Sequence, residues 1–254
     1  MSKENSLGKI FIKIIRLLVL TVVFCIVAAI ILNVLSLRDK ISSNTLIHPC
    51  IIVTVLFTAI VLDKFKLHDL GLYIKTKSIV FLIIGFFVGA VEVSIQYFFM
   101  NQQHHIQINE NIFQNTLLNA IFLNFVVAVA EEILFRGYLI TIMQKSRGKI
   151  NIIITLIISS LLFTSLHVLN GNYSTLDFIA AFAAGIFLGY VFIATKDLYL
   201  CIGFHMAWNF FSEYVFKLPE SGGGQYLAVL FIINTIVAMI LIKDKKNKVT
   251  ARSV

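Results

Sequence analysis

The sequence predicts an all-α fold, a polytopic transmembrane helix bundle of about eight spans with both termini cytoplasmic. Three observations predict it. Of the 254 residues, 59% are hydrophobic and only 13% charged. Apolar stretches of spanning length recur along the whole chain, and the basic residues between them alternate in number from one connection to the next. This composition excludes an ordinary soluble domain and a disordered chain.

The apolar stretches run approximately over 17–37, 45–62, 79–100, 114–142, 150–168, 176–195, 198–216 and 225–242, each long enough to span or nearly so. The first is too long for a signal-peptide core and lacks a small-x-small cleavage site, so a retained helix is expected. With only two prolines and 13 glycines, there is little room for long structured loops. No internal repeat or second domain is visible, so residues 1–254 form a single membrane domain. Cys25, Cys50 and Cys201 lie in apolar stretches and are odd in number, which fits packed thiols better than a disulfide framework.

Charge fixes the expected orientation. One side collects Lys3, Lys9, Lys13 and Arg16, then Lys64, Lys66, Lys75 and Lys77, then Lys145, Arg147 and Lys149, then Lys196, then the basic tail from Lys243 to Arg252. The other side has Arg38, Lys40 and Lys217, and Arg136 falls within a span. The positive-inside rule produces this asymmetry when both termini are cytoplasmic. The net charge of +8 is thereby a topology signal, and no nucleic-acid partner is expected. The expected location is the cell membrane, as a multi-pass protein surrounded by the lipid bilayer.

Chemistry enters where charge interrupts the lipid-like pattern. Thr116 to Ala130 carries no charge, and then come Glu131, Glu132 and, four residues later, Arg136. A charged group deep in a bilayer is costly unless paired or wetted, so such groups mark function. Lys145 is the nearest basic residue beyond the cluster, which puts Glu131 about 21 Å below that surface at the helical rise. Glu132 and Arg136, at i and i+4 with the acid first, are placed to pair on one helix face. Glu131 then points about 100° away, free to act as a general base.

Two further polar pairs lie in later apolar segments. Phe163 and His167 share a face of the fifth, where Phe163 is expected to wall in and orient the imidazole. His205 and Asn209 share a face of the seventh, about 13 and 20 Å from Lys196. Such a pair donates N–H groups toward a developing oxyanion; the competing reading is interhelical hydrogen bonding. Trp208 between them reads as packing or an interface anchor. Other intramembrane protease chemistries lack their residues: there is no His-Glu-x-x-His helix, no deep aspartate pair, and no serine in a Gly-x-Ser-Gly-like setting. The residues point to a hydrolase that activates water with glutamate and histidine.

Three features stay outside this set. Glu92 is at comparable depth, about 22 Å from Lys77, and is expected to line a wet cavity or pair across helices. His104-His105 in a polar outer loop reads as solvated rather than metal-binding. Gly85 with Gly89, and Gly185 with Gly189, are spaced for close helix packing.

Taken in order, Glu131-Glu132-x-x-x-Arg136, Phe163-x-x-x-His167 and His205-x-x-x-Asn209 resemble the CPBP family, which groups CAAX prenyl proteases with bacteriocin-processing and bacteriocin-immunity proteins. The resemblance covers about residues 112–216, the motif-bearing core. It implies an intramembrane endopeptidase acting on a peptide or membrane-protein substrate. In it Glu131 and His167 would activate water, His205 and Asn209 would form the oxyanion hole, and Glu132, Arg136 and Phe163 would support the site. No cofactor is expected. Zinc is the alternative, since two histidines and a glutamate are possible ligands, whereas Asn209 is a poor zinc ligand and a good oxyanion donor. A non-catalytic immunity or scaffold protein of the same fold is the competing function, and a transporter a more distant one, because neither broken helices nor a repeat is evident.

Overall fold

The computed structural model describes residues 4–35, 43–104, 106, 108–109, 117–146, 150–168, 174–219 and 224–251. Eight helical rods account for nearly all of them. The first is α1 (Glu4–Val34). Next, α2 (Ser43–Phe57) runs on into a π-helical turn, Thr58–Leu62. A 3₁₀ turn, Leu67–Leu70, precedes α3 (Thr76–His104). Then α4 (Leu117–Glu132) widens into a π-helical stretch, Ile133–Ile140, and closes with Thr141–Gln144. After it come α5 (Ile152–Val168) and α6 (Thr175–Thr195). The rod α7 (Tyr199–Asn209) again turns π-helical over Phe210–Val215, and α8 (Gly224–Ala251) ends the chain.

The eight predicted stretches thus each correspond to one rod. Four are long and apolar enough to cross a membrane, within Gly8–Val34, Thr76–Gln102, Leu117–Gln144 and Thr175–Thr195, while Leu46–Leu62, Ile152–His167 and Tyr226–Ile240 are shorter apolar helices. The outward surface is oily: Phe11, Leu18 and Ile30 on α1, Phe87 and Val91 on α3, and Ile153 on α5 are all exposed. Long exposed apolar faces of this kind suit lipid as solvent. The His104-His105 pair and the Asn170-Gly171 turn fall outside the residues whose side chains are described.

The core surrounds the second half of α4, where Ile133, Phe135, Tyr138, Ile140, Ile142 and Met143 are all buried. Glycine sets the closest helix contact. A Cβ on Gly85 or Gly89 of α3 would fall on the carbonyls of Leu200 and Phe204 in α7, and one on Gly203 of α7 would fall on the carbonyl of Leu82. The expected Gly-x-x-x-Gly packing is therefore present, and it presses α3 directly on the backbone that carries His205. Gly185 meets Ser160, and Gly189 meets Leu156, in the same way between α6 and α5. Phe231 of α8 packs on Phe187 at 6.2 Å and on Trp208 at 5.3 Å between ring centroids, so Trp208 is a packing residue. All three cysteines are free.

The two ends differ. At one, Lys13 and Arg16 of α1 bind the Asp63 carboxylate at 3.0 and 2.8 Å, and the Tyr138 hydroxyl donates to it at 2.7 Å. Burial alone would raise the Asp63 pKa, but these three donors outweigh it and hold the carboxyl below its ordinary value. Lys145 reaches Asp69 at 2.6 Å, and Leu198 N–H donates to the Gly71 carbonyl at 3.2 Å. The connections rich in Lys and Arg are thus gathered at one end. At the other, the Asn109 amide donates to the Tyr214 carbonyl at 2.9 Å and Tyr97 stacks on Phe216 at 4.4 Å.

Candidate active site

The last turn of α4, before it widens, carries Glu131 and Glu132 in different directions, as adjacent positions on a helix must. Glu132 is fully buried, and Arg136 is 1% exposed. Arg136 Nη1 donates to Glu132 Oε1 at 2.9 Å, the expected i, i+4 pair. A carboxylate and a guanidinium that share a dry site each depend on the other for solvation. The guanidinium also lies over the Phe163 ring, 4.3 Å from its centroid, a stabilising cation–π arrangement.

Phe163 therefore does more than flank a histidine. It is 6% exposed, with Phe135 edge-on at 5.3 Å, the His167 ring at 4.4 Å and the His205 ring at 6.1 Å. His167 Nδ1 lies 3.0 Å from the Phe163 carbonyl oxygen. A carbonyl has only lone pairs to offer, so Nδ1 carries the proton and Nε2 is left facing the site. That Nε2 stands 3.6 Å from Glu131 Oε2.

His205 comes from α7 and is oriented from behind in the same manner. Its Nδ1 lies 2.9 Å from Glu132 Oε1, and its Nε2 lies 3.7 Å from Glu131 Oε2. One oxygen of Glu131 therefore faces the Nε2 atoms of both imidazoles. Glu131 Oε2 is itself buried without a hydrogen-bond partner among the described residues. A buried acceptor in this state costs free energy unless something donates to it.

The structure thus brings together Glu131, Glu132, Arg136, Phe163, His167 and His205. Asn209 lies one turn beyond His205, at the end of α7's regular part; it is partly buried, and its carboxamide has no hydrogen-bond partner among the described residues. The link from Glu132 to His205 escaped sequence reading, which assigned Glu132 to Arg136 alone. Glu92 on α3 is 5% exposed, and its Oε2 is also unpartnered among the described residues.

Two helix irregularities frame the cluster. The π-helical stretch of α4 starts directly after Glu132, and that of α7 directly after Asn209. Single-turn π segments often accompany functional sites. Among the described residues, no group of three or more His, Cys, Asp or Glu side chains is disposed to hold a metal ion.

A half-buried glutamate thus lies between two imidazoles, each fixed from behind, in a helical chain with four helices long and apolar enough to cross a membrane. Residues 113–211 match the family model described as type II CAAX prenyl endopeptidase Rce1-like, a match that supports a likeness to the CPBP/CAAX proteases over this part of the chain. The matched segment contains every residue of the cluster. No curated protein sequence matches the chain. The match supports a CAAX-protease-like enzyme in a membrane.

Proposed function

We propose that the protein is an intramembrane endopeptidase of the cell membrane that hydrolyses a peptide bond in a membrane-associated or peptide substrate. The observation that carries this reading is the convergence of His167 Nε2 and His205 Nε2 on Glu131 Oε2, at 3.6 and 3.7 Å.

His167 Nε2 and Glu131 Oε2 are two acceptors separated by a gap that one water molecule bridges, donating an O–H to each. Attack of that water on the scissile carbonyl transfers its proton to Glu131 and places negative charge on the carbonyl oxygen. His205 Nε2–H and the Asn209 carboxamide are the donors for that oxyanion, stabilising the transition state by about 3–4 kcal/mol per well-placed donor. Because Nδ1 of His205 donates to Glu132, the oxyanion role requires the ring to carry both protons. Glu132, balanced by Arg136, is the counter-charge for that imidazolium. The proton held by Glu131 then passes to the leaving amine, so the C–N bond breaks and both groups return to their starting forms. Metal-free catalysis is part of this proposal, since each step uses side chains of the chain itself.

The test is to incubate detergent-purified protein with a peptide library and read the products by mass spectrometry, with Glu131→Gln as the isosteric control. Cleavage by the native protein and none by the variant is the expected result. Equal cleavage by both would remove Glu131 from the reaction.

A further inference from the structure

A polar cavity lies away from the glutamate cluster, at the end where the basic connections gather. It has a volume of about 540 Å³ and is lined by Lys75, Lys145, Lys196 and Asp69 beside the apolar Ile140 and Phe192. Three ammonium groups against one carboxylate leave positive charge in excess, and the members are not equally engaged. Lys145 is bound to Asp69 at 2.6 Å, and Lys75 lies 4.7 Å from the centroid of the Tyr73 ring. Lys196 is exposed and its ammonium has no ion pair or hydrogen bond among the described residues; partial desolvation beside the cavity wall holds its pKa below the ordinary lysine value.

The backbone adds an independent observation. Lys196 caps α6 in the left-handed conformation, at φ 55°. Glycine is the usual occupant of this position, because a Cβ is disfavoured there. Lys64 and Lys217 share this conformation, and of the three Lys196 is the one that lines the cavity.

We propose that this cavity binds a phosphate group presented by an anionic lipid headgroup, with Lys196 and Lys75 as the phosphate contacts. The form of the cavity fits an amphiphile. The lysines offer charge-assisted donors to the phosphate oxygens, while Ile140 and Phe192 supply apolar wall for the part of the lipid next to the headgroup. Asp69 opposes an anion, but Lys145 at 2.6 Å compensates it. Basic pockets between membrane helices recognise anionic headgroups by this chemistry.

The experiment measures binding to the full-length protein in detergent by native mass spectrometry, with phosphatidylglycerol, phosphatidylcholine and inorganic phosphate as separate probes. Phosphatidylglycerol is expected to bind more tightly than phosphatidylcholine. Lys196→Gly and Lys75→Gln should each weaken it about fivefold, the effect of one basic residue near an anionic headgroup, and Lys9→Gln should not. Lys196→Gly relieves the backbone while deleting the ammonium, so lost binding in that variant is not lost folding. Equal binding of the two lipids, or lipid binding indifferent to both cavity variants, overturns the proposal. Inorganic phosphate bound through the same lysines, without a lipid preference, overturns the lipid source and leaves a soluble phosphate site.

Discussion

His205 Nδ1 and Arg136 Nη1 each lie 2.9 Å from the same oxygen of Glu132, although His205 is 73 positions further along the chain. One buried carboxylate oxygen thus joins α4 to α7 and sets the direction in which the His205 ring points.

Arg136→Leu should therefore cost stability as well as activity. It leaves Glu132 buried with only His205 as partner, and breaking such a pair costs about 3–5 kcal/mol. Thermal melting in detergent is the measurement; an unchanged midpoint would show the pair to be dispensable. Replacing Glu132 and Arg136 together by methionine should recover much of that stability yet leave the protein inactive, because His205 Nδ1 then has no acceptor.

His205→Ala and Asn209→Ala should lower kcat by about 10²–10³ while KM changes little, the signature of groups that bind the transition state rather than the substrate. A rise in KM with kcat preserved would assign them to substrate binding.

Chelation tests the metal-free mechanism. Activity should survive prolonged treatment with a strong chelator, and elemental analysis should find no stoichiometric zinc. Inactivation that added zinc reverses would instead make His167, His205 and Glu131 metal ligands, and Asn209→Ala would then matter much less than replacing either histidine.

Gly203→Ala should destabilise by about 1–3 kcal/mol or more through overpacking, since its Cβ would fall on the Leu82 carbonyl. Activity should fall with it, as Gly203 lies two residues from His205. Gly8→Ala is the contrast: no atom lies within 4 Å of its Cβ position, and replacing a helical glycine there should add about 0.5–1 kcal/mol. The two melting temperatures should move in opposite directions.

Acid should loosen the basic end first. Asp63 and Asp69 have folded pKa values below the ordinary aspartate value: burial raises both, but Arg16, Tyr138 and Lys13 donate to Asp63, and Lys145 and the Lys66 backbone to Asp69, and the donors prevail. A depressed carboxyl adds stability that is complete above its unfolded pKa, about 3.9, and is lost as pH falls through the folded value. Melting temperature should accordingly drop below about pH 4, and Asp63→Asn should lower the plateau and flatten the fall. A native curve as flat as the variant's would mean that Asp63 is not held by these donors.

What was legible in the sequence depended on range. Hydrophobic runs mark helices because lipid-facing backbone must satisfy itself locally, so all eight rods were visible. The Glu132–Arg136 pair was visible too, since i, i+4 geometry belongs to one helix. The bond from Glu132 to His205 was not, because it depends on how far α7 approaches α4. That α3 packs closely on some neighbour could be read from the Gly85 and Gly89 spacing, but not that the neighbour is α7 or that Gly203 answers it from there. Lys196 signalled topology but no cavity: a lone lysine between two apolar runs looks the same whether or not it lines one. The π-helical stretches were equally silent, having no composition of their own.

Those stretches separate two things that a regular helix keeps locked. In α4 and α7 the wide turns follow Glu132 and Asn209 directly, so the residues before and after them hold independent angular phases about the axis. Each residue of an α-helix advances the phase by about 100°. A wide turn advances it by less, so the stretch Ile133–Ile140 accommodates about one residue more than a regular helix would over the same rotation. Removing one residue there would let the helix return to its narrower pitch with Glu131, Glu132 and Lys145 near their present directions, whereas inserting one would turn the two ends of the rod against each other, a defect that no single substitution reproduces.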